Sequence, residues 1–139
     1  MVCINYGVKK ISNIKLILSK PNHVKIYGHR GARGDLPENT LDSFEFLFVN
    51  KITAYEADIL LTKDLVPAIN HDFRLNPDLT KDAQGNWIED NDIKIFDLTY
   101  EELSKFKIGE IDKRSKYGRR FDNQKSLGEM KIPKLSDLL

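Results

Sequence analysis

The chain holds one cysteine, Cys3, and one tryptophan, Trp87, among 139 residues. A lone cysteine excludes an intramolecular disulfide and a cysteine zinc cage, and leaves Cys3 as a small apolar residue. No apolar run approaches the roughly 18 residues that a membrane-spanning helix needs. A secretory leader is not expected either, because Lys15 interrupts Ile11, Ile14, Leu16, Ile17 and Leu18 and no small-residue cleavage site follows. An excess of one charge is also missing: 22 Lys and Arg face 21 Asp and Glu, a formal net charge of +1. Such a balance gives no global drive toward nucleic acid or anionic membrane. A cytoplasmic chain with no stable membrane insertion is the expectation. There is no internal repeat, low-complexity tract or domain linker.

What is present suffices for one folded unit. A hydrophobic content of 40% supports a real core at this length. A complete (β/α)8 barrel typically takes about 250 residues and does not fit. Residues 1–23 read as an extension, with a short amphipathic helix packed against the rest in preference to a membrane surface. Val24 to Tyr27 reads as a buried strand ending at Gly28. Glycines 28, 31 and 34 then let the backbone turn tightly and approach a ligand closely. Asn39 is expected to cap a helix whose apolar face carries Leu41, Phe44, Leu47 and Phe48, with Asn50 and Lys51 at its end.

Ala54 to Leu60 reads as a second strand and Leu65 to Asn70 as a third. The four residues between them, including the turn-like Thr62-Lys-Asp64, are fewer than a parallel crossover needs, so local rules favour a hairpin. From Phe73 to about residue 131 the chain turns polar, a long excursion of the functional or added-subdomain kind. Inside it, Thr99 and Glu102 fit a capping box that opens a short helix before Leu103 and Phe106. Pro133 precedes the start of another helix.

The chemistry-bearing residues cluster at the ends of the β-like segments, where an α/β barrel places its site. His29-Arg30-Gly31 follows the first, Glu56 and Asp58 lie in the second, and His71-Asp72 follows the third. Side chains alternate along a strand, so Glu56 and Asp58 share one face roughly 7 Å apart. They are either the polar face of a half-exposed strand or ligands of a hard cation, since all-oxygen donors favour Mg²⁺ or Ca²⁺ over zinc. His29 and His71 are either structural or an acid–base pair, which an unperturbed pKa near 6.5 suits. Arg30 is either a surface arginine or a bidentate phosphate ligand. Arg33 has the weaker standing and could pair with Asp35. Asp72 could orient an imidazole or cap a turn. Two histidines and two close carboxylates are what metal-assisted phosphoryl chemistry needs.

Lys113 to Arg120 packs five cations around Tyr117. Three readings stand: a solvated loop, a nucleic-acid contact, or a loop that covers the site and attracts anionic substrates. With the overall charge near balance the solvated loop is favoured. His23, Trp87 and the tyrosines carry no readable chemistry.

The segment Tyr27-Gly-His-Arg-Gly-Ala-Arg-Gly-Asp-Leu-Pro-Glu-Asn-Thr40, together with Glu56-Ala-Asp58 and Asn70-His-Asp72, resembles the glycerophosphodiester phosphodiesterase family. The resemblance runs from about Val24 to Leu139. Leu75 to Thr80 and Ile132 to Leu138 are similar to its bacterial branch. It implies an α/β fold of the TIM (β/α) barrel type, with the helix missing between the second and third strands; that reading is adopted over the local hairpin rule. It further implies metal-dependent hydrolysis of a small glycerophosphodiester to an alcohol and glycerol phosphate, in lipid and glycerol metabolism, with no nucleic acid as partner. Glu56 and Asp58 would hold a divalent metal, Mg²⁺ or Ca²⁺. His29 and His71 would be the catalytic acid and base, Arg30 would bind the phosphate, and Glu38 would support a residue of the site. The family takes a third metal-binding Glu from a later strand, which this chain does not reach. The expectation is therefore residues 24–139 as the amino-terminal part of a barrel, truncated after about three strands. Its alternatives are an inactive module that binds a phosphate-containing ligand and a nucleic-acid-binding fragment.

Overall fold

The structure, a computed structural model, describes residues 26–52, 54–90 and 92–139. The expected extension at 1–23, with Cys3 and His23, and the start of the first strand lie outside the described residues. Strand β1 (Gly28–His29) pairs in parallel with β2 (Tyr55–Glu56), in a register that sets His29 opposite Glu56. Strand β3 (Ile59–Leu61) then pairs with β4 (Pro67–Ile69). The excursion contributes a third pair, β5 (Lys107–Ile108) with β6 (Met130–Lys131). The described residues thus form three two-stranded sheets.

Helix α1 (Leu41–Val49) connects the parallel pair. Its cap corrects the sequence reading: Thr40 Oγ1 accepts from Ser43 N at 3.2 Å, while Asn39 sits one residue earlier at φ 58°. A cap residue is normally extended, and Thr40 is, at φ −95° and ψ 149°. Phe44 and Leu47 are buried as expected, but Phe48 is 73% exposed. The apolar stripe is therefore narrower than four positions. Leu47 packs so tightly on β1 that a Cβ at Gly28 would lie 1.9 Å from its Cδ1. Asn50 closes the helix, with Lys51 behind it at φ 62°.

The expected second strand is two strands. Ala57 and Asp58 interrupt it, and the chain changes partner from β1 to β4 across them. The β3–β4 connection is antiparallel, with Leu60 opposite Ala68, so the local hairpin rule prevails over the parallel step that was adopted. The turn works because Leu65 takes φ 62° and Thr62 ties it from both sides: Thr62 N donates to Val66 O, and Val66 N donates to Thr62 Oγ1 at 2.9 Å. Five residues closed in this way leave no room for a crossover helix.

The excursion is packed, not open. Leu75, Ile95 and Leu103 are buried with Ala68, Ile88 and Ile132 in one apolar cluster. The capping box forms as read: Thr99 accepts from Glu102 N, Glu102 accepts from Thr99 N, and helix α2 (Tyr100–Leu103) begins there. The last helix, α3 (Leu135–Leu138), follows Pro133, with Asp137 accepting from Lys134 N at 2.9 Å. Among the described residues no helix is long and apolar enough to cross a membrane.

Candidate active site

The parallel β1–β2 pair makes the first half of the site. Because His29 stands opposite Glu56, the His29 Nε2 lies 3.8 Å from Glu56 Oε2. The next residue, Arg30, turns into the left-handed region at φ 57°. That turn sends its N–H back onto Glu56, donating to the backbone O at 3.1 Å and to Oε2 at 3.0 Å. A non-glycine residue there is strained by about 1–3 kcal/mol. Gly31 follows at φ 80°, and a Cβ on it would stand 2.4 Å from Ser43 Oγ. The loop is thus pressed onto the first turns of α1, where Ala32 N donates to Ser43 Oγ at 2.6 Å.

The β3–β4 hairpin makes the second half. Asn70 N, just past β4, donates to Asp58 O at 3.0 Å, which brings His71 to the acid pair. Asp58 and Glu56 sit close enough to hydrogen-bond, and Asp58 also feels the charge of His71 and Arg30. Burial first, and the neighbouring Glu56 charge second, hold the Asp58 carboxyl above the usual carboxylate range. All five residues that sequence reasoning selected, His29, Arg30, Glu56, Asp58 and His71, therefore gather around the acid pair.

Their surroundings differ. His29 Nδ1 lies 2.9 Å from Arg33 Nη2. Burial and the adjacent Arg33 cation push the His29 pKa below its usual value. His71 is exposed, and its Nδ1 lies 2.6 Å from Asp72 Oδ1. Of the two roles open to Asp72, the carboxylate takes the orienting one. Arg30 does not stand free: its Nη1 donates to Glu38 Oε1 at 2.8 Å, and its Nε is 3.7 Å from Asp58 Oδ2. Glu38, buried beside it, also accepts from the Tyr117 hydroxyl.

One member of this cluster, Tyr117, escaped the sequence reading, and another, Arg33, was given a weaker standing there than its contacts warrant. Arg33 reaches His29, the Tyr117 hydroxyl at 3.4 Å and Glu38 at 4.0 Å, and its guanidinium lies 5.4 Å from the centroid of the Phe121 ring. Its place between Gly31 and Gly34 was the available signal. Tyr117 was passed over with the other tyrosines, and 79 residues separate it from Glu38. No local pattern foretells that contact. Burial, and then the Glu38 charge, push its phenol up to about 12. The basic segment therefore meets the site through Tyr117, while Arg114 within it is engaged by Asp112 at 2.9 Å.

Three buried side-chain atoms here find no hydrogen-bond partner: Arg30 Nε, Arg33 Nε and Asp58 Oδ2. Such atoms cost about 1–3 kcal/mol each when left unsatisfied. A buried carboxylate oxygen that makes no hydrogen bond, with Arg30 Nε 3.7 Å away and a second carboxylate beside it, is donor chemistry suited to a hard cation. Among the described residues, no group of three or more His, Cys, Asp or Glu is arranged to hold a metal ion. Glu56 and Asp58 are the neighbouring carboxylates whose oxygen chemistry would suit such an ion.

Comparison with known proteins gives one consistent answer. The family model described as "Glycerophosphoryl diester phosphodiesterase family" matches residues 29–139. A glycerophosphodiester phosphodiesterase of Bacillus altitudinis is 38% identical over 81 residues, 58% of this chain and 29% of the relative. Glycerophosphodiester phosphodiesterase 1 of Rattus norvegicus is 35% identical over 89 residues, 64% of this chain and 24% of the relative. A crystal structure from Silicibacter pomeroyi, of a protein provisionally named a glycerophosphoryl diester phosphodiesterase, superimposes with a TM-score of 0.81 at 39% identity. That match covers 86% of this chain and 40% of the other. The fold is thus that of a TIM-barrel-type family. The chain spans between 24% and 29% of the length of these two curated relatives.

Proposed function

The chain belongs to the glycerophosphoryl diester phosphodiesterase family, and from that premise we propose that its site binds a glycerophosphodiester and serves metal-dependent hydrolysis to an alcohol and glycerol phosphate. The observation that carries the reading is the convergence of His29, Arg30 and His71 on the Glu56–Asp58 pair from two separate sheets. Asp58 Oδ2 is buried with no hydrogen bond, its charge faced by Arg30 Nε at 3.7 Å, which leaves it open to a cation.

Glu56 and Asp58 would hold Mg²⁺ or Ca²⁺, with most of the coordination left to water. When bound, the ion supplies Lewis-acid polarisation of the phosphoryl oxygens. Arg30, already fixed by Glu38, presents a planar cation to the phosphate. Asp72 holds His71 by its Nδ1 nitrogen, which leaves the Nε2 lone pair available as a proton acceptor. In the net reaction a P–O bond to water forms and the P–O bond to the alcohol breaks. The proton lost by water is taken up by His71 Nε2 and given to the leaving alkoxide.

The test is release of glycerol phosphate from a glycerophosphodiester by this chain, with and without Mg²⁺ or Ca²⁺. Turnover that requires the ion and is lost in His71→Ala supports the reading. Absence of turnover with retained binding of inorganic phosphate would favour a second reading, a phosphate-binding module without activity. The specific observation behind that alternative is that, among the described residues, no group of three or more His, Cys, Asp or Glu is arranged to hold a metal ion.

A further inference from the structure

The geometry points to Arg33 as a positioning residue that fixes the tautomer of His29, keeping Nδ1 unprotonated and the proton on Nε2. A guanidinium has N–H donors and no acceptor. Arg33 Nη2 stands 2.9 Å from His29 Nδ1, so a bond forms there only if the ring nitrogen supplies its lone pair. A neutral imidazole has a single N–H, which is then on Nε2, the nitrogen 3.8 Å from Glu56 Oε2. His71 is held the opposite way. Its Nδ1 meets the Asp72 carboxylate at 2.6 Å, and a carboxylate only accepts, so in the neutral ring Nδ1 bears the proton and Nε2 the lone pair. The two histidines thus carry the same ring atom, Nε2, in opposite states, one as donor and one as acceptor.

Arg33 is itself held from a distant part of the chain. Its side chain is 11% exposed. Phe121 lies beneath the guanidinium, Tyr117 and Glu38 flank it, and its backbone carbonyl accepts from Gln124 Nε2 at 2.8 Å. The 117–124 segment of the excursion thereby acts on His29 through one arginine. The catalytic use of this arrangement rests on the reading proposed above. In that reaction His71 Nε2 accepts the proton from the attacking oxygen and returns it to the released alkoxide. His29 stays neutral and donates a hydrogen bond from Nε2 to a phosphoryl or leaving oxygen, where negative charge grows.

The experiment is a long-range ¹H–¹⁵N correlation spectrum of the full chain at neutral pH, without metal or substrate. The chain has three histidines, assigned by His→Gln substitution. The expected spectrum shows His29 predominantly as the Nε2–H tautomer and His71 as the Nδ1–H tautomer. Arg33→Met should shift His29 toward Nδ1–H and leave His71 unchanged, whereas Arg33→Lys, still a donor, should largely preserve the wild-type state. A predominant Nδ1–H form of His29 in the wild type, or an unchanged His29 in a folded Arg33→Met, would overturn the proposal. Should Arg33→Met fail to fold, Tyr117→Phe and Phe121→Leu loosen Arg33 without touching His29. A partial shift in either supports the proposal, and no shift in both sinks it. No turnover is involved, so an inactive chain would defeat the hydrolase reading and leave this result standing.

Discussion

In the interior of the excursion, Leu75, Ile95 and Leu103 are 0–1% exposed and pack among other apolar side chains. Around His29, by contrast, the buried atoms include Arg30 Nε, Arg33 Nε and Asp58 Oδ2, all without a hydrogen-bond partner. Arg30 and Asn39 also sit at φ 57° and 58°, in the left-handed region that side chains avoid. One region satisfies the ordinary rules of folding and the other breaks them locally. Such exceptions persist where a ligand completes the unsatisfied groups and where the rest of the fold supplies the stability. The two regions therefore divide the work, with the excursion's cluster supporting the fold and the loop after β1 building the site.

The largest expected effect falls on the site and spares the fold. His71→Ala should cut turnover by about 10²–10⁴-fold, the usual value of a positioned proton carrier. Since His71 is exposed, its unfolding free energy should move by no more than about 0.5 kcal/mol. His29→Ala, which removes a hydrogen-bond donor, should cost about 10²–10³-fold. Steady-state kinetics beside thermal melting checks both, and a loss of only a fewfold would return either histidine to a structural role. The converse substitution, Leu103→Ala, should destabilise by about 2–5 kcal/mol through the cavity it opens. Cation affinity measured well below its melting point should stay at the wild-type value. Loss of that affinity in Leu103→Ala would break the division between the regions.

A smaller effect is expected at the seam. Thr40→Ala removes the cap of α1 and should cost about 1 kcal/mol in chemical denaturation, whereas Asn39→Ala leaves that cap intact. The order of these two variants distinguishes the observed cap from the one the sequence suggested.

The acid pair yields a prediction with a sign. The folded chain raises the pKa of Asp58 above its ordinary value of 3.8, by burial and by the Glu56 charge. An acid whose folded pKa is raised binds its proton more tightly when folded. Its contribution therefore favours the fold below pH 3.8 and is lost as pH rises through the folded value. Without metal, Asp58→Asn should accordingly be more stable than wild type at pH 7, with the gap closing as pH falls toward 3.8. Added Ca²⁺ should stabilise the wild type and not the variant. Wild type and Asp58→Asn melting alike at pH 7 would contradict the charge crowding assigned to this pair.

The parts legible in the sequence were those set by short-range rules. The capping box at Thr99 and Glu102, the end of α1 at Asn50, and the strand ends that carry His29 and His71 all follow from nearby residues. The hairpin between β3 and β4 was legible too, from a connection too short for a parallel crossover, and was set aside for a family expectation that the structure does not follow there. Asn39 was misread because its left-handed backbone, tied by its N–H to Arg30 O at 2.9 Å, is invisible to a pattern of cap residues. Tyr117 and Phe121 were out of reach for a different reason. They meet Arg33 across more than eighty residues, through a packing that only the folded excursion creates.

The most direct test of the central claim, that Glu56 and Asp58 form a cation site within the catalytic cluster, is calorimetric titration of the full chain with Ca²⁺ and with Mg²⁺. The wild type should bind one of them weakly, because two carboxylates replace little of the bound water, and the Glu56→Gln/Asp58→Asn double variant should show no binding while remaining folded. Equal affinity in the two proteins would contradict it.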